Sequence, residues 1–294
     1  MHVLGVKIVN EPFEQALERL EPILAGRAAT ALFFVNAHTL NLAASDPGYR
    51  RELNEADLVY GDGTGVRWAA KARGIRMKAN LNGTDLVPAL LARGRGLRCY
   101  LLGATPEAIE RAAAHFRQAY PGCVLAGHHH GYLDEAATNS VIDAINAADV
   151  DLLLVGMGNP LQERWIARNR ARLKVGLCAG VGGLFTYWAG DLDRAPCWMR
   201  RVGIEWLHIL RRQPQKFQRY VLGNPLFLLR LLLWLPADLL RPQAPPAAAP
   251  ALGLPAVGRR FTSEKTSAMA VGAGVAFLEQ LTLDGVLLLE LIVR

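Results

Sequence analysis

Asp62 stands between Gly61 and Gly63, just past the apolar run Leu58–Tyr60. A carboxylate on a tight turn beyond a strand end can take a proton from an attacking hydroxyl, as a general base must. The same position suits an aspartate that caps a helix opening near Gly65. The sequence leaves both roles open. Two other turns have related composition: Leu101-Leu102-Gly103-Ala104-Thr105-Pro106, and Val155-Gly156-Met157-Gly158-Asn159-Pro160-Leu161-Gln162-Glu163. Glycine lets a backbone approach phosphate closely, and a helix N-terminus favours anions. None of the three turns carries GxGxxG after a strand or a Walker lysine. Together they predict a nucleotide or other anionic ligand at one sheet edge, with Gly61, Gly63, Gly103, Gly156 and Gly158 on its phosphate side.

Asn36 ends another apolar run and can aim its amide at the same edge, or act as a turn or cap asparagine. Gln162 and Glu163 fall in the first turn of a helix opening at Pro160, within reach of a bound sugar or diphosphate. Glu163 also fits as a plain acidic residue at a helix start. Two patterns resemble metal sites. Asp191-Leu192-Asp193 has the DxD form that holds a divalent ion in many sugar transferases. It follows Gly190 and precedes Arg194, and a solvated turn with local ion pairing accounts for it better. His128-His129-His130 reads as a surface loop, because consecutive side chains point in different directions. There is no GxSxG, and no cysteine in a cap position near a histidine.

Between Arg194 and Arg230 the chain carries Arg194, Arg200, Arg201, Arg211, Arg212, Lys216, Arg219 and Arg230, opposed only by Glu205. Such cations meet diphosphate or headgroup charge, arginine in bidentate fashion. Trp198, Trp206, Phe217, Tyr220, Phe227 and Trp234 are interleaved with them, as amphipathic anchors at a membrane interface are. The apolar run from Pro225 to Leu240 is short and interrupted by Arg230, which suits lying in an interface rather than crossing it.

The elements that must position these residues follow from periodicity. Predicted strands are Val3–Val9, Ala31–Asn36, Leu58–Tyr60, Arg98–Leu102, Val124–Ala126, Asp151–Val155 and Val175–Ala179. Most are apolar throughout, as strands covered on both faces are. Predicted helices include Pro12–Ala25, Gly65–Arg73, Asp85–Ala92, Pro106–Ala119, Glu135–Ala147 and Pro160–Leu173. The alternation predicts an α/β fold with a Rossmann-like, mainly parallel sheet, and a ligand beyond the carboxyl ends of its strands. We expect a catalytic domain over 1–194, a basic and apolar helical appendage over 195–240, a Pro/Ala-rich linker over 241–260 and a tail without a motif over 261–294.

The 294 residues are 51% hydrophobic, enough for one large core. Cys99, Cys123, Cys178 and Cys197 have no metal-like spacing and read as free thiols in a reducing compartment. The N-terminus lacks the long apolar stretch of a signal peptide. No run of about 18 uncharged apolar residues marks a membrane span. These features predict a cytoplasmic protein, and the net charge of +7 adds an anionic membrane surface as partner.

In order along the chain, Asp62-Gly63-Thr64-Gly65, Gly83-Thr84-Asp85-Leu86, Gly158-Asn159-Pro160-Leu161-Gln162-Glu163, Gly180-Val181-Gly182-Gly183-Leu184-Phe185, Ala189-Gly190, Arg194-Ala195-Pro196 and Glu205-Trp206-Leu207 resemble the motifs of the WecG/TagA/CpsF glycosyltransferases (glycosyltransferase family 26). The resemblance covers residues 3–224. It implies an inverting, metal-independent enzyme that moves a sugar from a UDP-sugar to a polyprenyl-diphosphate-linked glycan. It places the base at Asp62, an asparagine at Asn36 and a glutamine at Gln162. Asn80 stands where the family often has arginine and Asp85 in its G-x-D segment, both beside the donor and diphosphate. An appendage docked on the inner face of the cytoplasmic membrane would lend Arg219 and Lys216, the latter where arginine is usual. Phe34 and Thr186 stand where threonine and aspartate are common. The stretch Lys78–Leu86 looks more like exopolysaccharide members that transfer glucose or a related hexose. An N-acetylmannosamine transferase of teichoic acid or common-antigen type is the alternative, and a homo-oligomer is left open.

Two other classes compete. A nicotinamide oxidoreductase would want GxGxxG after the first strand, where Asn10-Glu11-Pro12 stands instead. A basic nucleic-acid binder would show a recognised motif, and none is present.

Overall fold

The computed structural model describes residues 1–196, 198–199 and 205–239. Cys197, Arg200, Arg201, the expected linker over 241–260 and the expected tail over 261–294 lie outside the described residues.

Eight strands and eleven helices are used below. The strands are β1 (His2–Val3), β2 (Val6–Lys7), β3 (Thr30–Val35), β4 (Leu58–Gly61), β5 (Arg98–Gly103), β6 (Val124–His129), β7 (Leu152–Gly156) and β8 (Leu177–Gly180). The helices are α1 (Phe13–Leu24), α2 (Ala37–Ser45), α3 (Pro47–Glu55), α4 (Gly63–Ala72), α5 (Gly83–Arg93), α6 (Pro106–Ala119), α7 (Glu135–Ala147), α8 (Leu161–Asn169), α9 (Leu184–Trp188), α10 (Glu205–Arg212) and α11 (Gly223–Leu239). A six-stranded sheet has the order β4-β3-β8-β7-β5-β6, and every pairing in it is parallel.

Alternation within the strands builds two cores. Phe33, Val35, Val59, Leu153, Val155 and Cys178 face the layer of α2, α3, α4, α7 and α8. Leu32, Phe34, Leu58, Tyr60, Leu152, Leu154 and Ala179 face α1, α5, α6 and α9. Leu154 is fully buried. Truncating such a leucine to alanine costs about 2–5 kcal/mol, so central-strand changes threaten the fold before they touch the site.

The helices start where short polar side chains meet their free amides. The Thr105 side chain accepts from Ala108 N ahead of Pro106, and the Asn82 side chain accepts from Asp85 N. Helices α2 and α3 were not predicted. Their signals were Asn36 with Thr39, a reciprocal cap, and Asp46 before Pro47.

The expected strand Val3–Val9 is not one strand. Leu4 and Gly5 take positive φ of 49° and 82°, which folds the segment into the antiparallel pair β1–β2 outside the main sheet. Val9 alone of the segment bridges to the sheet backbone, in parallel to Tyr60, among the described residues. The segment from Val124 runs on as strand through His129, so His128 and His129 end an edge strand rather than lie in a loop.

Helix α11 packs against α2 and α4. Phe227 and Leu231 join the core, and Arg230 donates to Asn41 O and Ser45 Oγ, both at 2.6 Å. Among the described residues no helix is long and apolar enough to cross a membrane.

Candidate active site

Strand register fixes the centre of the site. Val35 of β3 pairs with Gly61 of β4, and Asp62 N donates to Val35 O at 2.8 Å. The next residues, Asn36 and Asp62, therefore emerge side by side at the carboxyl edge. Asn36 caps α2: its Oδ1 accepts from His38 N at 3.0 Å and Thr39 N at 3.3 Å. That leaves its Nδ2 free to face Asp62, where it favours the charged carboxylate. Asp62 occupies the N-cap position of α4 but makes no side-chain cap bond, so the capping role is not what it does.

Asp62 keeps some accessible surface where it lines the cleft, yet protein atoms ring it closely enough to strip most of its water. Burial raises its pKa to about 6. The charges of Glu205 and Asp85 add to the rise, while Asn36 and Arg219 oppose it. A carboxylate poised there is ionised at neutral pH and still basic enough to take a proton.

Around it lies a cleft of about 860 Å³, lined by the ends of β3, β4, β7 and β8, by α4, and by 205–228 from above. That volume suits a nucleotide-sized ligand. Gly63 has φ of +84° and open space where a side chain would project, and its N–H donates to Asn80 Oδ1 at 2.7 Å. Asn80 thus shapes the turn after Asp62. Asp85 borders the same cleft but is paired, accepting from Asn82 Nδ2 at 2.7 Å and Arg194 Nη1 at 3.0 Å.

The opposite wall holds Gly156, Gly158, Asn159, Gln162 and Gly180–Gly183. Gln162 is 1% exposed and both its amide atoms are engaged: Oε1 accepts from Gly182 N at 2.9 Å, and Nε2 donates to Glu163 Oε1 at 2.8 Å. Its place is to join two turns rather than to extend a free amide toward a ligand. Glu163, expected at a helix surface or near substrate, is fully buried.

Cations close the cleft. Lys216, Arg219 and Arg67 all line it, and none has a carboxylate partner among the described residues. Burial, with Arg219 beside it, lowers the Lys216 pKa to about 8. Burial also lowers that of Arg67, whose contact is Thr64 Oγ1 at 3.4 Å. His38 is held neutral, its pKa down at about 4, by burial and then by Arg219 and Lys216. Three half-buried cations in one cleft, none in an ion pair within 4 Å among the described residues, make a site for a polyanion such as a diphosphate beside the Asp62 carboxylate. Arg67 and His38 were missed from sequence. A lone cation four residues after Gly63 is a weak signal, although helical spacing puts the two on one face of α4.

Some expected residues lie elsewhere. Gly103 and Gly61 do not line the cleft. A Cβ on Gly103 would stand 2.3 Å from Gly156 O, and one on Gly61 would stand 2.8 Å from Val66, so both glycines serve close packing. Of the expected interface aromatics, Trp206 and Tyr220 line the cleft with rings 6.3 Å apart, and Phe227 is 1% exposed. Trp234 stacks with Arg73, while Trp198 and Phe217 are exposed. Asp191 pairs with Arg111 of α6 at 2.5 Å and Asp193 with Arg212 of α10 at 3.3 Å, so the ion pairing expected within the turn is made across the fold instead, while Arg194 turns to Asp85. Among the described residues no group of three His, Cys, Asp or Glu side chains gathers as a metal site. Cys99 and Cys178 are buried free thiols, and Cys123 is half-buried.

The family model described as "Glycosyl transferase WecG/TagA/CpsF family" matches residues 1–238. Curated relatives from Staphylococcus aureus strains NCTC 8325 / PS 47, COL and MRSA252 are each 33% identical over 210 residues, which is 70% of this chain and 82% of theirs. Each of those proteins is named N-acetylglucosaminyldiphosphoundecaprenol N-acetyl-beta-D-mannosaminyltransferase.

Proposed function

This chain belongs to the WecG/TagA/CpsF glycosyltransferase family, and we propose that it moves a hexose or N-acetylhexosamine from a UDP-sugar to a polyprenyl-diphosphate-linked glycan, with inversion at the anomeric carbon. A glycosyltransferase acting on a polyprenyl-linked acceptor is the coarse statement, and it agrees with the names of the staphylococcal relatives. The observation that carries the finer reading is Asp62, desolvated and held by Asn36, in one cleft with Arg67, Lys216 and Arg219.

In this reading Asp62 takes the proton of the acceptor hydroxyl as its oxygen attacks the anomeric carbon. The bond from that carbon to the diphosphate oxygen breaks, and UDP leaves with the electron pair. The charge gathering on the diphosphate is met by the cleft cations and by backbone N–H groups of the Gly158 turn. The reaction is metal-independent, a role for which the cations suffice and for which Asp191 and Asp193, each engaged with an arginine, are not needed.

For the donor we favour glucose or a related hexose for exopolysaccharide synthesis. Asn80 and Thr186 line the cleft, and Phe34 stands beside them. The second reading is the N-acetylmannosaminyl transfer named for the staphylococcal relatives, favoured by their 33% identity. The protein works at the inner face of the cytoplasmic membrane, its appendage lying against anionic lipid. A screen of UDP-glucose, UDP-galactose, UDP-glucuronate and UDP-N-acetylmannosamine against a short-chain lipid-diphosphate acceptor tests the whole reading. Turnover with a UDP-hexose is expected. No turnover with any of them, together with a melting temperature raised by NAD or an oligonucleotide but not by UDP, would reject it.

A further inference from the structure

Glu163 is fully buried and has no cation partner among the described residues. Its neighbour Arg164 is turned away to Asp46 and to Glu52, the latter at 3.5 Å. A lone carboxylate in a protein interior is costly unless hydrogen bonds hold it. Here the two oxygens differ. Oε1 accepts from Asn159 Nδ2 at 2.6 Å and from Gln162 Nε2 at 2.8 Å. Oε2 faces the buried Tyr49 hydroxyl of α3, and neither atom completes a regular hydrogen bond.

We infer that Glu163 is a positioning residue for sugar transfer: its Oε1 clamps the side chains of Asn159 and Gln162, and through Gln162 it sets the backbone N–H of Gly182 in the cleft wall. The chain of contacts is continuous. Gln162 Oε1 accepts from Gly182 N, and Gln162 N donates to Gly158 O at 3.0 Å. A Cβ on Gly180 would stand 3.0 Å from Gln162 Nε2, so the amide has no room to swing. One oxygen therefore ties the turn after β7 to the turn after β8. The inference rests on the reading that these two turns receive the nucleotide.

Protonation leaves the clamp intact. Burial raises the Glu163 pKa to about 7, so both forms are present near neutrality. A proton on Oε2, beside Tyr49, leaves Oε1 a carbonyl that still accepts both amides. Glutamine can reproduce that neutral form and alanine cannot. The titratable and charged side chains around it, Tyr49, Glu52 and Arg164, all stand on α3 or α8.

The test compares wild type, Glu163→Gln, Glu163→Ala and Tyr49→Phe by UDP-sugar KM and kcat, and by backbone hydrogen exchange without ligand. Glu163→Gln is expected to hold KM within about threefold and Glu163→Ala to raise it about tenfold or more, since sub-ångström misplacement of binding groups has effects of that size. Exchange over 156–163 and 180–184 is expected to quicken together in Glu163→Ala and to stay slow in Glu163→Gln and Tyr49→Phe. Should Glu163→Ala not fold, Asn159→Ala takes its place with the same direction expected in KM and exchange. An unchanged KM with unchanged exchange in the alanine variant overturns the inference. So does a Glu163→Gln variant as impaired as Glu163→Ala. The exchange result stands without substrate, so a wild type that fails to bind UDP rejects the functional reading separately.

Discussion

Asn36 and Asp62 sit side by side because the residues just before them, Val35 and Gly61, are paired at the ends of β3 and β4. The asparagine spends its oxygen on the start of α2 and turns its amide toward the aspartate, whose charged form it favours. A helix cap thus fixes the group that holds the proposed base.

Asp62→Asn is expected to lower kcat about 10²–10⁴-fold, the usual size of a lost positioned base, with UDP affinity retained. The same change should stabilise the protein at pH 8. The folded-state pKa is raised from 3.8 to about 6, so the favourable contribution of Asp62 is full below 3.8 and is lost as pH rises through about 6. Removing the charge recovers at most about 3 kcal/mol, at 1.36 kcal/mol per pKa unit. A loss of activity together with a higher melting temperature at pH 8 is the expected pair. Near-normal turnover would reject Asp62 as the base.

The pH profile of kcat/KM should be a bell. Its acid limb rises near pH 6 as Asp62 ionises, and its alkaline limb falls near pH 8 as Lys216 loses its proton. Asn36 stabilises the charged form of Asp62, so Asn36→Ala is expected to move the acid limb to higher pH. It should also cost about 0.5–2 kcal/mol of stability through the lost cap. Lys216→Arg should flatten the alkaline limb, which a pH-rate series on that variant reads directly.

How much of this could be read from sequence depends on whether a local pattern or a distant contact decides. Strands β3, β5, β7 and β8 are apolar runs covered on both faces, and such runs announce a parallel sheet. Gly103 and Gly156 look alike in sequence, since each ends a strand before a helix. Strand order separates them: β7 is the outermost strand whose end lines the cleft, while β5 lies one place further out, and its terminal glycine packs on Gly156. Phe227 read as an interface anchor because its neighbours are leucine and arginine. Its ring instead fills the space left by Gly65, where a Cβ would stand 3.3 Å away. The Val3–Val9 strand failed at Gly5, whose positive φ reverses the chain.

The cleft cations should matter together. Arg219→Ala and Arg67→Ala are each expected to weaken UDP binding about tenfold, in the range for a charge-assisted hydrogen bond to phosphate. The loss should shrink at high salt, where screening already weakens the attraction. Calorimetry at two ionic strengths checks both statements. Activity is expected to persist in EDTA. Loss of activity restored by Mg²⁺ or Mn²⁺ would instead place a metal at Asp191 and Asp193.

Helix α11 divides its leucines by face. Leu231 and Phe227 are buried and Arg230 is bonded to α2, whereas Leu229, Leu232 and Leu233 are 54%, 68% and 72% exposed. Exposed leucines on a helix docked by its other face, next to a cationic segment, fit the surface of an anionic bilayer. Replacing Leu229, Leu232 and Leu233 with serine removes the apolar contact and leaves the docked face untouched. Each side chain withdrawn from lipid forfeits about 1.5–3 kcal/mol when its burial is complete, and partial insertion scales this down. The triple variant is therefore expected to pellet weakly with phosphatidylglycerol vesicles while retaining turnover on a short-chain, water-soluble acceptor. Undiminished vesicle binding would shift the contact to the exposed Trp198 and Phe217, and loss of soluble turnover would show that these leucines support the cleft itself.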